Sequence, residues 1–237
     1  VRDWTSGAKT NHGLAITTDE TSVSAAKVYT TVEEGANEPY LKVTWRQKDL
    51  GVQSWYTLNS DQLTDRLRQQ VNVANGNLVL EAADVNLPGV AGLNMSVGRY
   101  FNSREDSEGV FGQGWSSTIG QSVRLVVDAS GQSAVFHGPS GYTADFTATA
   151  GGGWKSPAGM NAVMSRTNST YTLRMVASGL RYRFIDGDEL DKLEDKNGNA
   201  IRYGYNSSQQ VNKITDTHGD ESTVEWNADG HISKITD

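Results

Sequence analysis

The chain has 237 residues, 36% of them hydrophobic, and a formal net charge of −7. A chain of this length and hydrophobic content can bury the core of one large domain or two small ones. The net negative charge makes nucleic acid an unexpected partner. The absence of cysteine excludes a disulfide scaffold, thiolate zinc sites and a cysteine nucleophile, and no apolar run approaches the roughly 18 residues that a membrane span requires.

The first 45 residues show short strands broken by turn residues. Apolar side chains alternate along residues 39–45, which predicts an antiparallel strand. Forty-five residues are too few for a closed sandwich of about seven strands. Trp4, residues 11–14 and residues 39–45 resemble the C-terminal end of the DNRLRE domain, a β-sandwich module of secreted bacterial proteins. We therefore expect part of a sandwich here and an excerpt from a longer protein.

Residues 46–70 are polar and less regular, which predicts a linker or a short helix. Leu63 and Leu67 have the i, i+4 spacing of neighbours on a helix. Trp55 and Tyr56 are expected to pack this connector onto a neighbouring surface.

A new unit begins at Val71. Residues 71–73 and 78–80 flank Ala74-Asn75-Gly76-Asn77, where Asn-Gly predicts a tight hairpin turn with positive φ angles. This turn is the first of four motifs. Their sequence and order resemble those of the domain that opens RHS/YD-repeat proteins. The motif positions are Asn75, Gly76, Asn77, Pro88, Gly89, Arg99, Tyr100, Asn102, Ser103, Phe111, Gly112, Gly114 and Trp115.

The stretch from residue 123 to residue 184 has a turn signal about every ten residues and no helical period. Both features predict a meander of antiparallel hairpins, so we expect an all-β chain.

The tract from Tyr182 to Asp237 contains one pattern three times, with a constant period of 21 residues. Each copy predicts one hairpin, and the pattern resembles the YD repeat. Residues 227–230 keep the family's turn in the third copy, whereas Glu189 and Gln210 are assigned to the turn-glycine position in the other two. The repeat positions are Tyr182, Phe184, Leu190, Leu193, Asp195, Tyr203, Tyr205, Val211, Ile214, Asp216, Val224, Trp226, Ile232, Ile235 and Asp237.

No catalytic, cofactor-binding or metal-binding residues are predicted. The acidic stretch 186–191 and the run 195–199 are rich in oxygen ligands, but Gly198 is misplaced for an EF-hand loop, and calcium binding stays open. Ser116 and Ser140 lie in predicted turns without a suggested triad. Paired carboxylates cannot be assigned by spacing. The four histidines are expected to be solvated turn residues: His12, His137, His218 and His231.

Four parts are expected: a partial DNRLRE-like β-sandwich over 1–45, a linker over 46–70, an opening or capping β-domain over 71–178, and three YD repeats over 179–237. A 21-residue hairpin cannot bury its own apolar face, so copies must stack into one sheet. The family resemblance implies that this sheet spirals into a hollow shell. It implies a non-catalytic scaffold in a secreted or wall-associated polymorphic toxin of interbacterial competition, partnered by the remaining shell and a C-terminal toxin domain.

A cell-surface adhesion or carbohydrate-binding module is the alternative, with cell-wall or surface glycan as the partner. It depends on residues 1–45 and on the indole rings of Trp4, Trp45, Trp55 and Trp154, which could stack on sugars. The shell interpretation makes a different prediction, namely an exposed and incompletely paired strand over residues 232–236.

Overall fold

The structure, a computed structural model, describes residues 49–185 and 188–237. These residues fall within one compact unit, Gln47–Asp237. The predicted partial sandwich over 1–45, with Trp4, His12 and Trp45, lies outside the described residues, as do Asp186 and Gly187. The described part of the chain is all-β, and its paired strands are antiparallel, as predicted.

The strands occur in simple succession along the chain, with one 3-10 turn at Val90–Gly92. They are β1 (Leu58–Thr64), β2 (Leu67–Asn72), β3 (Leu78–Leu87), β4 (Met95–Asn102), β5 (Glu108–Gly109), β6 (Gly112–Gln113), β7 (Trp115–Ser117), β8 (Arg124–Val127), β9 (Ser133–His137), β10 (Thr143–Ala148), β11 (Trp154–Lys155), β12 (Ala162–Thr167), β13 (Thr170–Met175), β14 (Arg181–Ile185), β15 (Glu189–Glu194), β16 (Ala200–Tyr205), β17 (Val211–Thr215), β18 (Glu221–Trp226) and β19 (Ile232–Thr236).

Five strands form a small sheet in the order β1-β2-β3-β4-β7. Its first hairpin corrects the prediction for residues 46–70, because β1 and β2 pair from Leu58↔Asn72 to Thr64↔Leu67. The predicted helix is wrong, and from Leu58 onward the segment belongs to the sheet. Two leucines at helical spacing contribute only a few tenths of a kcal/mol, which the ladder hydrogen bonds of a hairpin outweigh.

The predicted hairpin around Asn75-Gly76 is confirmed, but its predicted positive φ angles are found at Gly76 and not at Asn75. β2 and β3 pair up to Val71↔Leu78, and Gly76 has a φ of 72°. Asn75 helps in another way than predicted, because its side-chain Oδ1 accepts a hydrogen bond from the backbone N–H of Asn77 at 2.8 Å.

The twelve strands from β8 to β19 form a large sheet that branches at β15. One edge of β15 pairs with β14. Its other edge pairs with β16 through Lys192–Glu194 and with β8 at Glu189. The predicted boundary between residues 178 and 179 falls between β13 and β14, which are paired neighbours, so it does not separate two sheets.

The buried apolar side chains form two hydrophobic cores. The first core lies within the large sheet, between strands β8–β10 and strands β12–β15, and contains Leu125, Phe136, Phe146, Leu173 and Phe184. The second core lies between the small sheet and the repeat strands. Its buried members are Met95, Val97, Ile119, Ile201, Val211, Ile214 and Val224. The small sheet therefore covers one face of the repeat strands.

The 21-residue period is present in the strand register as well as in the sequence. Each copy is one hairpin, and its ladder shifts register at the same step. The equivalent pairs before the shift are Tyr182↔Leu193, Tyr203↔Ile214 and Val224↔Ile235, and those after it are Phe184↔Leu190, Tyr205↔Val211 and Trp226↔Ile232. The apolar and aromatic repeat positions are thus cross-strand partners, whereas the closing aspartates follow the strands.

The predicted turn-glycine positions of the first two copies are wrong by one residue. The period places Gln209, and not Gln210, at the position of Gly230. Gln209 has a φ of 62° and Gly230 a φ of 80°, so both occupy the left-handed region. The same period places Asp188, and not Glu189, at the position of Gly230 in the first copy.

β19 lies at the end of the large sheet and pairs with β18 on one side. Within the described residues no strand pairs with its other side, which agrees with the predicted edge. Only its first residue is engaged there, because the N–H of Ile232 donates to the carbonyl of Val110 at 2.8 Å.

Candidate functional site

The joints between successive repeat copies are short. Inside a copy the two strands form four or five residue pairs. Between copies, β15 and β16 form three pairs, ending at Lys192↔Arg202, and β17 and β18 form three pairs, ending at Lys213↔Thr223. Beyond these pairs the neighbouring strands diverge, and their backbones no longer bond to each other.

An aromatic side chain bridges each of these gaps. The Tyr205 hydroxyl donates to the carbonyl oxygen of Leu190 at 2.8 Å, and the Trp226 Nε1–H donates to the carbonyl oxygen of Val211 at 2.7 Å. The two donor residues are 21 residues apart in the sequence, and so are the two acceptor residues. Burial, followed by the charge of Glu189, raises the pKa of Tyr205, so its hydroxyl stays a donor at neutral pH. The sequence predicted apolar packing here and not this hydrogen bond.

The closing aspartates cap the turns between copies. Oδ1 of Asp195 accepts from the backbone N–H groups of Asn197 and Asn199 at 2.8 and 2.9 Å. Oδ1 of Asp216 accepts from those of His218 and Asp220 at 2.8 and 2.9 Å. The pKa of Asp195 is lowered, chiefly by its hydrogen bond from the Asn199 side chain. Within residues 49–185 and 188–237 no group of three or more acidic or histidine side chains is arranged to hold a metal ion.

A buried polar hub lies at the centre of the opening motifs. Oδ1 of Asn102 accepts from the Gly51 backbone N–H at 2.7 Å and from Nδ2 of Asn77 at 2.9 Å. Nδ2 of Asn102 donates to the carbonyl of Ser140 at 2.9 Å. Asn77, Asn102 and Ser140 are all buried. The hub therefore ties the small sheet to the β9–β10 turn of the large sheet.

Other motif residues shape the loop that carries β5 to β7. The Arg99 guanidinium lies 5.4 Å from the ring centroid of Phe111 and 5.2 Å from that of Trp115, and it forms an ion pair with Asp84. Gly114 has a φ of 79°, and a Cβ there would lie 2.8 Å from the Phe101 ring. These contacts hold the loop in place by packing.

Two motif segments contact two successive repeat copies. Beside the Pro88-Gly89 turn, the N–H of Val90 donates to the Thr217 hydroxyl at 2.8 Å. In the second segment, Glu108 Oε1 lies 2.8 Å from Nε2 of His231. Together with the bond from Ile232 to Val110, these contacts anchor the small sheet to the repeats outside the second core.

His137 is not the solvated turn residue that the sequence predicted. It ends β9 and is half-buried, and burial together with the nearby Arg124 charge lowers its pKa to about 4. It lines a cavity of about 340 Å³ with Arg124, Trp115, Trp226 and His231. His218 does lie in an exposed turn, as expected.

Of the four tryptophans considered as sugar platforms, Trp55 and Trp154 lie within the described residues, and of these two Trp55 is exposed. The Trp55 side chain is 45% exposed, whereas Trp154 packs against the first core beside Tyr171, with ring centroids 6.1 Å apart. The two serines considered as nucleophiles contact backbone groups: Ser140 Oγ accepts from the N–H of Val52, and Ser116 Oγ donates to the carbonyl of Tyr100.

Comparison with known proteins gives two similarities. A family model described as a domain of unknown function, DUF6531, matches residues 68–146, a range that contains every opening-motif position. The chain is also 30% identical over 131 residues to the tRNA nuclease WapA of Bacillus subtilis (strain 168), and equally to the tRNA3(Ser)-specific nuclease WapA of Bacillus spizizenii.

The alignments cover 55% of this chain, but the chain spans only 5% of the length of these relatives. Both similarities fit an RHS-like protein. The DNRLRE and YD-repeat resemblances depend on the sequence motifs alone. In the described ranges the single helical element is the three-residue turn Val90–Gly92. No helix there is long and apolar enough to cross a membrane.

Proposed function

We propose that this chain is a non-catalytic scaffold segment of a secreted or cell-surface RHS-type polymorphic toxin used in interbacterial competition. In this proposal the repeats form part of a shell wall, and the small sheet closes one face of it. The toxic domain and the remaining shell are its partners. The observation that carries the proposal is the 21-residue register of strand pairs and of the aromatic bridges between copies.

The repeat register supports a wall because each copy makes the same contacts with the next. At both joints between copies the earlier copy offers a backbone carbonyl and the later copy supplies an aromatic donor, so copies can be added without a new kind of interface. Nearest-neighbour contacts of this kind are the basis of extended repeat architectures.

The small sheet supports a capping role because it covers apolar repeat side chains. Ile201, Val211 and Ile214 are buried against Met95 and Val97 of β4. Without this cover the repeat face would expose a contiguous apolar patch, which promotes association with other proteins.

The polar groups of the motifs support a structural role. The turn aspartates accept backbone N–H donors, and the hub residues bond to one another or to backbone groups. The relatives are named tRNA nucleases, and this chain corresponds to only 5% of their length. In this proposal the toxic activity of such a protein lies outside this chain.

A tRNA cleavage assay tests the non-catalytic part of the proposal. The purified chain, incubated with total tRNA and with divalent cations, is expected to leave the tRNA intact, while a tRNA nuclease as positive control cleaves it. Cleavage that follows the protein through purification and is lost in His137→Ala would overturn the proposal, because His137 lines the cavity of about 340 Å³ described above.

Glycan binding is a second candidate, favoured by the exposure of Trp55. One side of its ring meets Gly159, where a Cβ would lie 3.0 Å away, and 45% of the side chain stays exposed. Binding to cell-wall glycans on an array, abolished by Trp55→Ala and retained in Trp154→Phe, would support this function. Equal binding by the wild type and Trp55→Ala would exclude Trp55 as the sugar platform.

A further inference from the structure

We infer that the edge of β19 that pairs with no described strand is a docking site for a further 21-residue hairpin, and that this hairpin must carry Tyr or Trp at its second aromatic position. The side-chain O–H or N–H of that residue donates to the carbonyl oxygen of Ile232. The inference rests on the proposed scaffold function and adds the chemistry that selects the incoming strand.

The acceptor is identified by the period of the repeat. The carbonyl oxygens of Leu190 and Val211 accept the aromatic donors of the following copies. Ile232 is the equivalent residue of the third copy, and it pairs with Trp226 as Val211 pairs with Tyr205. Within the described residues no side chain donates to the carbonyl of Ile232.

The pairing residues are identified in the same way. The joints between copies use Lys192–Glu194 of β15 and Lys213–Thr215 of β17. The equivalent residues of β19 are Lys234, Ile235 and Thr236, which pair with β18 on one side and with no described strand on the other. The bond from Ile232 to Val110 involves the other end of the strand, so it leaves these three residues accessible.

Phe184 shows when an aromatic donor is dispensable. It occupies the second aromatic position of the first copy and has no polar hydrogen. Its strand, β14, pairs with the preceding β13 through five residue pairs, from Thr170↔Ile185 to Arg174↔Arg181. Where the joint has only three pairs, the residue is Tyr205 or Trp226 and bridges the gap. An aromatic hydrogen-bond donor is therefore found at the joints that have only three residue pairs.

The test appends a duplicate of residues 217–237 directly after Asp237 in the full chain. Four forms are compared: the native duplicate, the duplicate with its copied tryptophan replaced by Phe, the same position replaced by Tyr, and a duplicate with a scrambled sequence. Hydrogen exchange of the backbone amides of residues 233–236 measures docking directly. The loss of one hydrogen bond to a buried carbonyl is expected to change the docked fraction roughly tenfold.

We expect the native and Tyr duplicates to protect these amides, the Phe duplicate to protect them roughly tenfold less, and the scrambled duplicate to leave exchange unchanged. Equal protection by the Phe and native duplicates would overturn the donor requirement and leave the scaffold function standing. If no duplicate protects the edge more than the scrambled form does, β19 does not accept a further copy, and the proposed scaffold function fails with the inference.

Discussion

Replacing Tyr205 with Phe removes one oxygen atom and keeps the ring, so it isolates the bridge between two repeat copies. The partly buried hydroxyl donates to the Leu190 carbonyl at 2.8 Å. Losing this bond and leaving the acceptor unpaired costs about 1–2 kcal/mol. With a urea dependence of about 2–3 kcal/mol per molar, the unfolding midpoint should fall by about 0.5 M.

Tyr203→Phe is the matched control. Tyr203 lies two residues away on the same strand and packs against both cores, and its hydroxyl makes no hydrogen bond to any described residue. The same chemical change should therefore alter stability by less than about 0.5 kcal/mol. Urea unfolding followed by circular dichroism at pH 7 makes the comparison. Equal losses in the two variants, or no loss in Tyr205→Phe, would refute the bridge as an energetic link between copies.

Three further predictions concern the hub, the turns and pH. Asn102→Ala leaves the partners of three buried hydrogen bonds unpaired and should cost about 3–5 kcal/mol in urea unfolding, whereas the exposed Asn161→Ala should cost less than about 0.5. Gln209→Gly relieves a left-handed backbone and should raise stability by about 0.5 kcal/mol, whereas Gln210→Gly should lower it; the opposite ranking in thermal melts would contradict the register. The pKa of Glu194 is lowered by Lys192, Arg181 and Arg183, so its stabilisation is present above the ordinary value of 4.5 and is lost as pH falls below it. The urea midpoint should accordingly decline below about pH 4.5, less steeply in Glu194→Gln, and an unchanged slope in that variant would count against the ion-pair cluster.

The repeat hairpins could be predicted from the sequence because their period constrains every strand at once. Positions such as Tyr203 and Ile214 face the same core, so a shift of one residue would expose them all. The turn-glycine assignment failed where only one residue carried the signal. Gln209 adopts a glycine-like backbone conformation without being glycine.

Contacts between distant segments could not be read from local patterns. Asn102 belongs to a recognisable motif, but its partner Ser140 lies 38 residues further along the chain. The Tyr205 hydroxyl was expected to lie among apolar neighbours, since nothing in the sequence indicates where two strands diverge. His137 was missed for the same reason, because its environment is supplied by other strands. β1 pairs with β2, which follows it directly in the chain, and it was missed because its polar, exposed residues give no alternating apolar pattern.

The proposed scaffold function is tested most directly by the protease resistance of the proposed toxic domain when that domain is present in one polypeptide with this chain and the proposed shell. The rate at which thermolysin degrades that domain under native conditions would be measured in three forms. These are the wild type, Val97→Asp, which places a charge in the second core at a 2% exposed position, and Val163→Asp, at a 47% exposed position on β12.

We predict that the domain is shielded in the wild type and in Val163→Asp, and is degraded at least about tenfold faster in Val97→Asp, because the small sheet can no longer close the repeat face. A toxic domain that is degraded at the same rate in all three forms, and as fast as the isolated domain, would contradict the enclosing scaffold.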